Sequence, residues 1–410
     1  MLSWDQTPTL ASMRCSRAWV EIDLEALTHN IRALKALLSP ATDLMSVVKA
    51  DAYGHGAVTV ARTVLRAGAT WLGVATVPEG VELREAGIEA PILVMGAVND
   101  PTEVRAIAHW HLHPTLVSPK QALVFSETLA TYTAHSSETD FLQALPVHLN
   151  FDTGMSRLGV RWSQAVEFAR FVKQLPHLDT VSVYSHFATA DSPDPTTMHL
   201  QHQRFDSAIA ALRQADLLPN RLHLANSAAT LTDSSLHYDM VRVGLATYGL
   251  YPAPHLSQKV ALKPVLSVKA RITHLKELAA GDGVSYGHRF IAKKNMRIAI
   301  VAIGYADGVP RLLSNKLKVA IAGQLVPQLG AVTMDQLMLD VSALASVQEG
   351  DIVTLLGQVG SQHLSADQWA EITSTISWEI LCGFKHRLPR VLRSEATAAS
   401  CSEQESSPRL

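Results

Sequence analysis

The chain has 410 residues, 47% hydrophobic and 18% charged, with a formal net charge of −2; it is too long for one core, since cores stop growing at roughly 250–300 residues, and too apolar to be disordered. So small a charge, with no basic run interleaved with aromatics, excludes a nucleic-acid surface. Three widely spaced cysteines, Cys15, Cys382 and Cys401, form neither a disulfide framework nor a metal-ligand pattern, and no apolar stretch reaches the roughly 20 residues of a membrane span, so a cytoplasmic protein with no metal and no membrane partner is expected.

Residues 1–17 carry no signal-peptide pattern and read as a tail. From Leu24 the apolar positions Leu27, Ile31, Leu34 and Leu38 recur at steps of three and four, one face of a helix. Short apolar runs follow at 44–48, 71–75, 92–95, 112–117, 147–150, 181–185, 222–225 and 240–243, with helical patterns between most of them. Eight strands alternating with helices predict a (β/α)8 TIM-type barrel over residues 18–260. A doubly wound open sheet is the rival, although no G-x-G-x-x-G follows a strand. Beyond Ala261 the helical period gives way to runs at 265–275, 296–303, 317–322, 336–341 and 351–356, which predict a second, mainly β domain over 261–393. Residues 394–410 are small, polar and aperiodic, a second tail.

Barrel enzymes place their chemistry where strands end. Lys49 directly follows a run that reads as buried, and a desolvated ammonium loses its proton readily, as a Schiff-base lysine must; the alternative is a lysine that snorkels to solvent. Tyr53, Gly54, His55 and Gly56 come next. Arg157 lies between Gly154 and Gly159 and can hold an anion by paired hydrogen bonds or simply sit on the surface. His186 closes the sixth run, and Asn226 and Ser227 close the seventh. Arg242 interrupts an apolar strand, as a member of an internal ion pair or as a ligand contact, and Gly244 follows where barrels often build a phosphate site. In the β region Tyr286 stands between Gly283 and Gly287, as a turn residue or a base, with Tyr305 and Met334 in GYADG and TMDQ.

In this order AWVEIDLEALTHN, VVKADAYGHG, DTGMSRLG, SHFATAD, ANSAA, VRVGLATYGLYP, GVSYGHRF, GYADG and TMDQ resemble the alanine racemase family, over about Ala18 to Arg393. The resemblance implies a pyridoxal 5'-phosphate (PLP) enzyme of fold type III, an obligate head-to-tail homodimer that interconverts L- and D-alanine by a two-base mechanism and supplies D-alanine for peptidoglycan. It implies that Lys49 binds the cofactor and is the base for D-alanine, and that Tyr286 of the partner subunit is the base for L-alanine. Tyr53, Ser227 and the backbone at Gly244 would hold the phosphate, and Arg242, supported by His223, would face the pyridine nitrogen. His186 would link Tyr286 to Arg242. Arg157 would contact the cofactor's phenolic oxygen and the substrate carboxylate, with Tyr305 and the Met334 backbone near that carboxylate and Asp191 and Arg311 in the substrate corridor.

Two positions depart from the family pattern. Asn150 stands where many members carry a carbamylated lysine, and Trp378 where many have a tyrosine that reaches the phosphate. Other readings are a racemase that also accepts serine, a decarboxylase of the same fold type, and a single-barrel PLP carrier. Arg242 in place of a carboxylate argues against the decarboxylase, and the second domain argues against the carrier.

Overall fold

The computed structural model describes residues 15–135, 144–360 and 362–393. Both segments read as tails, apart from residues 15–17, lie outside the described residues, as does Cys401. The described chain falls into two compact units: residues 25–52 with 57–263, and residues up to 24 with 53–56 and those from 264 onward.

In the first unit the strands Asp43–Val47, Trp71–Val74, Ile92–Val94, His113–Leu116, Leu145–Asp152, Leu178–Tyr184, Arg221–His223 and Met240–Val243 are the eight expected runs. All are parallel, they pair in chain order, and the eighth lies beside the first with Arg242 opposite Met45. Between the seventh and eighth, Asp239 N–H donates to Leu222 O (3.1 Å) and Arg242 N–H to Ala225 O (3.0 Å), which brings the ring close to closure. A doubly wound sheet would reverse its strand order; this one does not.

The strands are short and apolar because both faces are covered, by helices outside and by opposing side chains inside. Met45, Trp71, Leu93 and Met240 pack as one buried cluster on four neighbouring strands. The periodic segment after Asp23 is the helix Leu24–Lys35, which buries Leu27, Ile31 and Leu34. Helices begin where the local chemistry allows it: Asp100 accepts from the Thr102 and Glu103 N–H groups ahead of Pro101–His109, whose first residue is proline.

In the second unit the strands Leu266–Leu278, Met296–Val301, Leu337–Asp340, Gln324–Leu329, Lys318–Ile321 and Ile352–Val359 pair antiparallel, each with the next. The last pairs back with the first, so the six close on themselves. Leu266–Leu278 also pairs with Ala18–Asp23, which in turn runs parallel to Arg390–Arg393. The amino-terminal strand is therefore part of the β unit and not of the barrel. Two helices, Ala366–Thr373 and Ser377–Gly383, complete the unit. Among the described residues no helix is long and apolar enough to cross a membrane.

Candidate active site

Lys49 leaves the first barrel strand half-buried and heads the single turn Lys49–Gly54. That turn is left-handed: φ is +53° to +54° at Ala50, Asp51, Ala52 and Tyr53, and +81° at Gly54. Left-handed helix costs an L-residue about 1–2 kcal/mol, so four such residues in a row persist only if the surroundings hold them. Ala50 N–H donates to Glu79 Oε1 (2.7 Å), and Ala57 N–H donates to Asp51 Oδ1 (2.7 Å). The other oxygen of Glu79 accepts from the Ala75 and Thr76 N–H groups (2.7 and 3.1 Å). One carboxylate thus starts the helix Val77–Glu85, as part of a capping box with Thr76, and pins the backbone beside Lys49. Further along the turn, a Cβ on Gly54 would meet Leu381 O at 2.6 Å. Burial, and after it Cys382, pushes the Tyr53 phenol up.

Arg242, on the eighth strand, is buried. Its Nη1 donates to His223 Nδ1 (3.0 Å) and His223 O (3.1 Å), and its Nη2 to Ser185 O (2.7 Å), His186 Nδ1 (3.1 Å) and Leu224 O (3.2 Å). The internal ion pair that the sequence allowed is not formed, because these acceptors are all neutral. Burial lowers the arginine to about 10, opposed by Tyr184 and reinforced by Arg157, so it stays cationic near neutral pH. All five acceptors engage the terminal nitrogens, which leaves Nε–H as the donor for a ligand. His186 is pushed down to about 3 by burial and then by Arg242, Arg157 and Lys49. Its Nδ1 accepts from Arg242, so the neutral ring carries its proton on Nε2 and offers a donor there.

Beside this cluster Ser227 opens the helix Ser227–Thr232 and Gly244 precedes the 3-10 turn Leu245–Tyr248. Ser227 Oγ accepts from the Gly244 N–H (2.9 Å) and the Ala246 N–H (3.4 Å). Two helical N-termini and a hydroxyl at one place favour an anion. The residues present therefore fit the cofactor that the resemblance implies: a half-buried amine for its aldehyde, a cationic donor without a carboxylate for its ring nitrogen, and a cradle of amides and hydroxyl for its phosphate.

Arg157 is exposed, on a loop that the fifth strand feeds. Asp152 Oδ1 accepts from the Gly154 and Ser156 N–H groups (2.9 and 3.0 Å), which curls the loop. Gln201, from the helix Thr196–Gln214, ties Thr153 Oγ1 (3.3 Å) to His186 O (2.9 Å). Asn150 is buried on that strand against Gly159, where an added Cβ would lie 2.3 Å from Asn150 Oδ1. The Tyr184 phenol, pushed up by burial, lies 2.8 Å from Thr115 Oγ1, and both Thr115 and Asn150 act to lower it.

The β unit carries Tyr286, Tyr305 and Met334, with exposures of 73%, 42% and 52%. Both tyrosines lie in turns anchored to one segment. Ser285 Oγ donates to Ala331 O (2.8 Å), and the Tyr305 and Ala306 N–H groups donate to Thr333 O (2.9 Å) and Met334 O (3.0 Å). Asp307 closes the second turn by accepting from the Gly304 N–H (3.0 Å), and Arg17 holds it by paired bonds of 2.7 and 2.9 Å. Trp378 lies half-buried on Ser377–Gly383.

Of the residues singled out from the sequence, Lys49, His186, Arg242, Ser227 and Gly244 meet at the strand ends of the barrel, with Arg157 close enough to bear on His186 and Arg242. In the β unit the turns that carry Tyr286 and Tyr305 are both tied to residues 331–334, which include Met334. Glu79, Asp152 and Gln201 were missed. For Glu79 the signal existed, since Thr76-Val77-Pro78-Glu79 reads as a capping box.

Residues 22–252 match the family model for the alanine racemase N-terminal domain, and residues 265–392 that for the C-terminal domain. An alanine racemase of Nostoc sp. is 64% identical over 391 residues, 95% of this chain and 99% of that one. One of Synechocystis sp. is 57% identical over 376 residues, 92% and 99% of the two chains. Among solved structures, the alanine racemase of Streptomyces lavendulae matches with a TM-score of 0.85 at 34% identity, over 95% of this chain and 98% of that one. That of Bacillus anthracis with bound L-Ala-P matches with a TM-score of 0.85 at 36% identity, over 92% and 95%.

Proposed function

Because the chain belongs to the alanine racemase family, we propose that its reaction, the PLP-dependent interconversion of L- and D-alanine, is carried by Lys49 and Tyr286 acting on opposite faces of the substrate's α-carbon. When bound, the cofactor supplies the electron-withdrawing system that acidifies the α-C–H. Inversion then needs one proton donor-acceptor on each face. Lys49 is the covalent anchor and the base on one face, and Tyr286 of the partner subunit is the base on the other. His186 donates its Nε2–H to that phenol and so favours its deprotonated form.

The observation that carries this reading is the buried, cationic Arg242 with neutral acceptors on both terminal nitrogens. An arginine this far above neutral pH does not hand a proton to a ring nitrogen, so the nitrogen stays unprotonated and less negative charge is drawn into the ring. Restricted delocalisation suits proton return to the α-carbon over side reactions. Tyr53, Ser227 and the Gly244 backbone hold the phosphate, and Arg157, Tyr305 and the Met334 backbone receive the substrate carboxylate. The pronounced exposure of Tyr286 supports a homodimer in which a second chain covers it. A phosphorylated cofactor fits a cytoplasmic site, and D-alanine fits a supply role for peptidoglycan.

The holoenzyme incubated with L-alanine in deuterated buffer should lose optical rotation and gain deuterium at Cα. L-serine run in parallel reads the breadth of the pocket. Lys49→Ala should lose the visible absorbance of the lysine-bound cofactor, whereas Tyr286→Phe should keep it and lose at least about a hundredfold in kcat. A Tyr286→Phe enzyme with the parent rate would overturn the two-base assignment.

A further inference from the structure

Behind Arg242 a file of polar side chains crosses the barrel interior. His223 Nε2 lies 3.1 Å from Ser182 Oγ, Ser182 Oγ lies 2.5 Å from His148 Nδ1, and His148 Nε2 lies 3.2 Å from His113 Nδ1. These residues come from the seventh, sixth, fifth and fourth strands, so each strand hands the file to its neighbour. His148, Ser182 and His223 are each 0% exposed. Tyr184 stacks on His223 with centroids 4.6 Å apart, and Trp71 meets His113 and His148 edge-on at 5.0 and 5.5 Å. Aromatic walls and strand neighbours leave the rings little room to turn.

Arg242 fixes the direction of the first bonds in the file, and the serine's single proton, which needs an acceptor of its own, fixes the rest. A guanidinium has donors and no acceptor, so His223 Nδ1, which faces Arg242, must be a bare lone pair. Burial holds His148 and His223 well below the ordinary imidazole range and brings His113 down to about 4, with Arg221 acting on all three. A neutral imidazole has one donor and one acceptor. His223 therefore carries its proton on Nε2 and donates to Ser182 Oγ; the serine hydroxyl donates to His148 Nδ1; and His148 donates through Nε2 to His113 Nδ1. The alternative, in which His148 Nδ1–H also donates to Ser182 Oγ and His113 Nδ1–H to His148 Nε2, would leave the buried serine hydroxyl proton without an acceptor in the file.

We propose that Ser182, backed by His148 and His113, is a positioning residue that locks His223 in its Nε2–H tautomer, so that a lone pair always faces Arg242 and the arginine keeps its place at the ring-nitrogen end of the cofactor site. Without the serine oxygen, His223 Nε2–H has no acceptor. Moving the proton to Nδ1 relieves that loss but sets N–H against N–H at Arg242, which must then shift. Ser182 thus acts on the reaction through two intermediaries and touches neither cofactor nor substrate. The functional half of this inference rests on the reading above; the tautomer does not, which keeps their failures distinguishable.

The test is ring-15N NMR of the holoenzyme carrying ring-15N histidine. The parent protein should show His223 and His148 protonated on Nε2 alone. In Ser182→Ala, His223 should become mixed or Nδ1-protonated, and kcat should fall at least about tenfold while KM for alanine moves less than about threefold. Ser182→Thr, which restores a hydroxyl, should recover both the tautomer and most of kcat. An Nδ1-protonated His223 in the parent protein overturns the proposal even if Ser182→Ala does not fold. So does a Ser182→Ala enzyme whose tautomer and kcat both match the parent.

Discussion

At Gly159 the main chain has φ +97°, and a Cβ would lie 2.3 Å from Asn150 Oδ1 and 2.6 Å from Asn150 O. An amide side chain can swing away; a strand carbonyl cannot. Gly159→Ala therefore adds a steric conflict to an unfavourable φ and should cost about 2 kcal/mol or more, read as a shift in urea midpoint, with a raised KM for alanine as the Arg157 loop moves. Gly87→Ala is the control. Its φ is +78° but nothing lies within 4 Å of the added carbon, so it should cost about 1 kcal/mol and leave KM alone. Equal effects from the two would show that φ alone, and not contact with Asn150, restricts this position. Residues at this scale were legible where their type was out of place: a lysine ending an apolar strand, an arginine inside one, a tyrosine between glycines. Ser182 and His148 were not, because a serine or a histidine in a half-apolar run is commonplace, and their meaning comes from a neighbour on the next strand.

The turn Lys49–Gly54 is the element that sequence reasoning could not describe. KADAYG contains good helix formers and no glycine before its last residue, so nothing in it announces a left-handed path, which other elements impose. Glu79 supplies the clearest restraint, three N–H bonds to one carboxylate, and hydrogen bonds to charged groups contribute roughly 1.5–3 kcal/mol each. Glu79→Ala should lower the melting temperature and cut kcat about tenfold or more, because the backbone beside Lys49 is released. Glu79→Gln keeps one carbonyl acceptor and should fall between it and the parent in both measurements. An alanine variant with unaltered kcat would mean that packing alone holds the turn. The eight barrel strands, by contrast, were readable as apolar runs of strand length between helical periods. Ala18–Asp23 was not assigned to its sheet, because its antiparallel partner Leu266–Leu278 lies about 250 residues away and short-range pattern carries no information on such pairing.

For the whole molecule the telling feature is where large hydrophobic side chains remain exposed. Among the described residues Leu123 and Leu200 lie on the barrel unit, whereas Tyr286, Ile291, Tyr305, Leu312, Leu325, Met334, Ile376 and Leu392 lie on the β unit. So many exposed apolar side chains on one unit fit the homodimer proposed above, and three of these residues carry roles in the proposed reaction. On the two-base reading Tyr286 needs a cover to work, since a base open to water has nothing to orient it. If the cover is a second copy related by a twofold axis, each site combines Lys49 of one chain with Tyr286 of the partner subunit. Co-expressing Lys49→Ala and Tyr286→Phe chains under separate affinity tags separates this arrangement from one in which both groups belong to a single chain. Each homodimer lacks one base at both of its sites. The heterodimer lacks both bases at one site and has an intact pair at the other, so random pairing should restore about a quarter of the parent activity, and the doubly tagged fraction alone about half. If both bases came from one chain, no site in any of the three dimers would be complete, and racemisation in the mixture would stay at the level of the two variants measured separately.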